Sequence, residues 1–150
     1  MAKAEIAQWL NGQSGDRAGE GSTRAAMGKG RLKPEFIERT ELFSDRCIAV
    51  AEQLQADGRF PRVVDQLAGT GSSVGANIAE ASEAMSLKDF RKCLAIAIKE
   101  LAETRFWLRI VIRRGWLSEA RLAPLLSEQD EIRKVIGSIL TKTREAQATR

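Results

Sequence analysis

The sequence predicts an all-α fold, an antiparallel up-down-up-down four-helix bundle with a flexible N-terminal tail. Three observations predict it. Apolar residues recur every three or four positions in four successive stretches between residues 36 and 143, the period that keeps a stripe on one face of an α-helix. Glycine, proline and serine punctuate the chain between those stretches, and connections of about three to six residues force consecutive helices antiparallel. Tyrosine is absent, aromatic residues make up 5% of the chain, and no alternating helix–strand pattern is present. Four such stripes can be buried only against one another.

The first helix is expected from about Glu35 to Ala56, with the stripe Phe36, Thr40, Phe43, Cys47, Val50 and Leu54. Asp57-Gly58 supplies its stop. Pro61 suits the first turn of helix two, where its missing N–H costs nothing. That helix carries Val64, Leu67, Gly71, Val74, Ile78, Ala81 and Met85, and is expected to end near Met85. Ser86 with Asp89 forms an N-cap for helix three, whose stripe reads Phe90, Leu94, Ala97, Leu101, Thr104, Leu108 and Val111 before Gly115 ends it. Ser118 caps helix four, with Leu122, Leu125, Gln129, Ile132, Ile136 and Ile139. Pro124 lies too deep for a first-turn proline, so it should kink this helix or mark its true start. The expected bundle spans residues 35–145, with tails at 1–34 and 146–150. Residues 11–33 hold six of the twelve glycines and bury too little apolar surface to offset their chain entropy.

At 150 residues the chain suits one domain with a single core. No apolar run approaches the roughly 18–20 residues needed to span a bilayer. Glu5 and Gln8 interrupt the N-terminal apolar segment, so a signal peptide is not expected. Cys47 and Cys93 lie on different helices and read as small core residues in a reducing cytoplasm, the expected location. The net charge of +4 is unevenly spread: residues 1–34 hold six basic and three acidic side chains, residues 35–150 eighteen and seventeen. Any basic surface on the bundle must therefore come from segregation within it.

Gly69-Thr-Gly-Ser-Ser-Val-Gly75 has the glycine density of a phosphate-binding loop but lacks the Gly-Lys-Ser/Thr ending and the preceding strand. It belongs to a run of small residues from Ala68 to Ser82, which suits close approach of a neighbouring helix. Histidine is absent, which removes the commonest general base and metal ligand near neutral pH. Glu100 and Glu103 share a helix face, but a di-metal bundle site uses Glu-x-x-His pairs, so ordinary ion pairs with neighbouring basic residues are the expected use. No catalytic residue, metal site or cofactor is expected.

Helix three is unlike the others. Its eight basic residues (Lys88, Arg91, Lys92, Lys99, Arg105, Arg109, Arg113 and Arg114) fall within one half of the helical wheel, opposite the core stripe. Arg105, Arg109 and Arg113 form an i, i+4 row able to track phosphates, with Lys99 and Arg114 as further candidates for nucleic-acid contact. A merely solvated charged face is the competing reading. The same outer half also carries Ile96, Phe106, Trp107 and Ile110, a mixture typical of the core of an interface, so a homo-oligomer is expected.

Asn77-Ile-Ala-Glu80, Ser86-Leu-Lys-Asp-Phe90 and Lys99-Glu-Leu-Ala-Glu-Thr-Arg-Phe-Trp-Leu108 resemble a known family, as does the Gly115-Trp116-Leu117 turn. It is the family of bacterial four-helix-bundle proteins first noticed as products of intervening sequences in large-subunit ribosomal RNA genes. The resemblance covers about residues 36–145 and implies an antiparallel bundle assembled as a homopentamer. A related branch is the accessory protein of diversity-generating retroelements, which partners a reverse transcriptase and nucleic acid. The chain departs from the family pattern at Ala81, where glycine is usual, and at Glu100, where serine is frequent. Asn77 and Glu80 carry over as family positions, expected to make buried polar contacts that fix helix register. Two functions stay open: a module that binds RNA or an RNA-associated partner, and a scaffold that binds protein alone.

Overall fold

The computed structural model describes residues 32–148. Four helices follow in order: α1 (Pro34–Ala56), α2 (Pro61–Ser82), α3 (Leu87–Arg113) and α4 (Glu119–Ala148). Their ends are set by local chemistry. Pro34 and Pro61 open α1 and α2, where the first-turn N–H groups have no helical partner to lose. The Ser86 hydroxyl accepts from the Asp89 N–H at 3.1 Å, and the Ser118 hydroxyl from the Arg121 N–H at 3.2 Å, so both expected serine caps form. Gly58 and Gly115 each adopt φ 66°, the left-handed conformation that stops α1 and α3. Of the expected tail at residues 1–34, residues 1–31 lie outside the described residues, whereas Leu32 is buried in the core and Pro34 already belongs to α1.

Cross-helix partners fix the directions. Gly71 and Gly75 of α2 lie against Cys47 and Ser44 of α1, in reversed order along the two chains. Thr70 meets Thr104, and Gln129 meets Leu101, so α2 packs on α3 and α3 on α4. The α1–α2 and α2–α3 seams are close, α4 packs less intimately on α3, and a thin α4–α1 seam closes the bundle. A bidentate pair spans that last seam: Arg39 donates to both Glu128 oxygens, at 2.6 and 2.9 Å. The hydrogen bond from Arg39 to Glu128 raises the Arg39 pKa further above its ordinary value.

The stripes read from the sequence of α1, α3 and α4 are buried in full. In α2 the apolar face is rotated slightly: Val63 is buried and Val64 half-buried. The same helix stops at Ser82, short of Met85, which is 94% exposed. Glu83 and Ala84 N–H groups turn back to the Glu80 and Ala81 carbonyls at 3.1 and 3.2 Å, and these tight bonds end the helix ahead of the Ser86 cap. Pro124 does not mark the start of α4, which begins at Glu119 and runs through it. The N–H it lacks would have met the carbonyl of Ala120, an exposed residue whose oxygen water can reach.

Two of the three glycines in the small-residue run have a packing reason. A Cβ on Gly71 would overlap Cys47, and one on Gly75 would come within 2.7 Å of the Ser44 hydroxyl. The Gly75 N–H also donates to that hydroxyl at 2.9 Å. A Cβ on Gly69 would meet nothing, and no contact explains that glycine. Among the described residues, no helix is long and apolar enough to cross a membrane.

Candidate nucleic-acid interface

Arg105, Arg109 and Arg113 follow one another at helical spacing on α3, each exposed, with steps of about 6 Å along the axis. The short α3–α4 connection lays the first half of α4 beside them. Together with Ile112 of α3 and Glu119, Leu126, Ser127, Gln129 and Asp130 of α4, they line an open groove of about 550 Å³. None of the three guanidiniums forms an ion pair with a described acid. Asp130, which lines the groove, is engaged by Lys134 at 2.9 Å. That hydrogen bond is the main reason the Asp130 pKa is lowered, with Lys134, Arg105 and Arg133 adding their charge. One wall of the groove is therefore cationic, and of the two acids on the facing wall, Glu119 and Asp130, the second is already engaged by a lysine.

The other two basic candidates stand apart. Lys99 is exposed but does not line the groove. Arg114 caps α3 and lies over the Trp116 ring, 5.9 Å from its centroid. Arg59, from the α1–α2 loop, lies over the same ring at 5.6 Å. In the sequence, Trp116 reads only as part of a turn. The one hint in the sequence is an arginine two residues before a tryptophan, with Arg59-Phe60 in the other loop at the same end.

The apolar candidates form a strip on the outer side of α3. Phe106 is 52% exposed, whereas Ile96, Trp107 and Ile110 are half-buried. The Phe106 and Trp107 rings meet edge to face, with centroids 4.9 Å apart. Trp107 also packs against the core of its own bundle. Phe106 is therefore the member most available to another surface.

Two expectations need correction. Glu100 and Glu103 form no ion pair with a described basic residue. Glu103 instead accepts from the Trp107 indole N–H at 3.4 Å, and burial with the neighbouring Glu103 charge raises the Glu100 pKa. Asn77 and Glu80 do not make buried contacts between helices. Asn77 is half-buried and donates to the Ser73 carbonyl at 2.8 Å within its own helix, and Glu80 is exposed. Register is held by buried polar groups that lie within the stripes themselves. The Thr104 hydroxyl donates to the Glu100 carbonyl at 2.8 Å and pairs with the Thr70 hydroxyl at 3.1 Å. Gln129 donates to the Leu101 carbonyl at 3.2 Å. A hydroxyl or amide on an apolar stripe, rather than a family motif, was the signal for this role.

Cys47 is buried and Cys93 half-buried, both as free thiols. Burial pushes both pKa values up, which disfavours the reactive thiolate. Among the described residues, no group of three acidic, cysteine or histidine side chains is placed to hold a metal ion.

The comparisons with known proteins fit this geometry. No curated protein matches the chain. A crystal structure of a protein of unknown function from the S23 ribosomal protein family of Bacteroides thetaiotaomicron VPI-5482 is similar, at 31% identity and a TM-score of 0.67. The match covers 70% of this chain and 97% of that one. The family described as 23S rRNA-intervening sequence protein matches residues 33–138, which takes in most of the described bundle. With its helices, caps and seams in place and a solved relative of the same fold, the chain belongs to the 23S rRNA-intervening sequence protein family.

Proposed function

We propose that this protein is a non-enzymatic, homo-oligomeric module that binds RNA through the α3 arginine row. The observation that carries the reading is the row itself: three exposed guanidiniums, unpaired with any described acid, along one wall of a groove. Such a row contacts phosphates in any sequence, because phosphates position a nucleic acid without identifying its bases. Arginine suits this role because its planar fork can meet two phosphate oxygens together. Lys99 extends the field beyond the groove. The family description, which refers to 23S rRNA, supports RNA as the partner.

Oligomerisation is the second half of the reading. Phe106 leads the apolar strip with Ile96, Trp107 and Ile110, and a second copy of the chain is the partner that the resemblance implies, as a pentamer. Repeating the arginine row around a ring raises its effective concentration toward one RNA strand. Two free thiols suit the reducing cytoplasm, the compartment we assign to this function.

Replacing Arg105, Arg109 and Arg113 together with glutamine tests the reading. Fluorescence anisotropy should show weak RNA binding by the unmodified protein that fades as salt rises, because phosphate contacts release counterions. The triple variant should lose affinity by a similar factor for every RNA sequence, with its oligomeric state checked on the same sample. Unchanged RNA retention by an intact triple variant would rule the row out. Absence of binding by the unmodified protein leaves the protein scaffold as the better reading.

A further inference from the structure

The α1–α2 loop (residues 57–60) and the α3–α4 loop (114–118) meet at one end of the bundle, where Arg59 and Arg114 both lie over Trp116. Two arginines, one from each loop, therefore share one indole. Of the nearby acids, Asp57 already accepts from the Gln53 amide at 3.0 Å. Phe60 stands in the same loop as Arg59 and is 64% exposed.

Stability does not account for Phe60. It occupies the N-cap position of α2, where serine, threonine, asparagine or aspartate would offer a side-chain acceptor, and its own side chain makes no capping bond. Nor does it join the core, since most of its surface is open to water. An aromatic ring that neither caps nor packs leaves its face free for another flat group. The neighbouring arginines are arranged differently. The Arg59 Nε is buried without a hydrogen-bond partner among the described residues, and its guanidinium rests on the indole. Two cations held by one ring have lost part of their rotamer freedom in advance, which lowers the entropic cost of gripping an anion. The α2 N-terminus adds its positive dipole end at the same place.

We propose that this end of the bundle is a second, separate site for single-stranded RNA, in which Phe60 stacks on a base and Arg59 and Arg114 hold the adjoining phosphate. Trp116 does not stack on RNA; it positions the two arginines. The pairing of an exposed aromatic face with arginines favours a nucleic acid over an acidic peptide, because every base offers a face to stack on and a carboxylate side chain offers none. The site uses none of Arg105, Arg109 and Arg113, so it does not depend on the row.

The test is anisotropy with a fluorescein-labelled oligouridylate of about 12 nucleotides, within the span of one single-strand binding surface. The proteins are the full chain, Phe60→Ala, Phe60→Trp, the double variant Arg59→Gln with Arg114→Gln, and each of these in the row's triple-glutamine background. Thermal unfolding by circular dichroism verifies that each is folded. We expect Phe60→Ala to weaken binding by roughly 5-fold or more, the loss typical of one stacked base, the double variant to weaken it as well through lost phosphate contacts, and Phe60→Trp to retain it. The Phe60→Ala loss should persist at higher salt, since stacking releases no counterions. Loss confined to the end variants supports this site and overturns the row; loss confined to the row variants does the reverse. Binding by Phe60→Ala equal to that of the unmodified chain overturns the stacking site. So does competition by polyglutamate that is as effective as competition by unlabelled RNA. No RNA binding by the unmodified chain overturns both sites.

Discussion

Glu100 shows how a single side chain can be in tension with its surroundings. It is half-buried on α3, its backbone carbonyl accepts from Thr104, and its carboxylate has Glu103 rather than a cation beside it. Burial first, and the Glu103 charge second, raise its pKa. A carboxyl group with a raised folded-state pKa ionises more readily in the unfolded chain. Its charge therefore costs stability as pH rises from the ordinary glutamate value into the raised range. Glu100→Gln should accordingly be more stable than the unmodified protein near neutral pH, and the advantage should vanish below about pH 4, where the carboxyl is protonated in both states. Urea unfolding midpoints at the two pH values measure this. An advantage that grows on acidification would contradict the assignment. Gln129 is a second residue of this kind: one end of its amide is satisfied by Leu101, while Oε1 has no partner among the described residues. Such a group opposes any packing that does not return the amide to the same carbonyl.

At the scale of the helix, the α1–α2 seam depends on residues too small to be seen as hydrophobic. Gly75→Ala should destabilise the bundle by about 1–3 kcal/mol, because the new methyl group would press on the Ser44 hydroxyl and approach the Thr40 carbonyl at 3.2 Å. Ser44→Ala alone loses a hydrogen bond, worth about 1 kcal/mol. In the double variant the methyl meets the residue 44 Cβ at 3.4 Å, an ordinary contact. Chemical denaturation should therefore find the double variant less destabilised than the sum of the two singles; strict additivity would mean that the two sites do not touch. The small-residue run announced this seam in the sequence, and the heptad-like stripes of α1, α3 and α4 announced the core, because period and size are local properties. Partners were harder to read. That Asn77 turns back to Ser73, that Glu80 stays in water, and that Arg59 crosses to Trp116 depend on how helices rotate against each other. The end of α2 at Ser82 was hidden for a related reason. Met85 fits the apolar period, yet the bonds to the Glu80 and Ala81 carbonyls end the helix before reaching it.

At the scale of the whole molecule, the apolar strip of α3 raises the question of assembly. Phe106→Glu is a cleaner test than a change at Trp107, which also packs on its own core. A charge at an exposed ring should split an oligomer while leaving helical circular dichroism intact, because it would be unpaired only when a second subunit covers it. Light scattering reports the mass; a monomeric unmodified protein, or an unaffected variant, would remove this face from the interface. The uneven seams carry a consequence for time as well as for shape. With two close seams joining α1 to α2 and α2 to α3, and a looser one holding α4, the bundle can open in stages. α4 also lacks one amide hydrogen bond donor at Pro124. In deuterated buffer, core amides of α4 should exchange sooner than those of α2, through partial opening events that leave three helices assembled. Because the Arg105–Arg113 groove has α4 as its second wall, each such event would also take the groove apart. A ligand that bridges both walls should then slow exchange in α4 selectively, making that helix a clock for occupancy of the site.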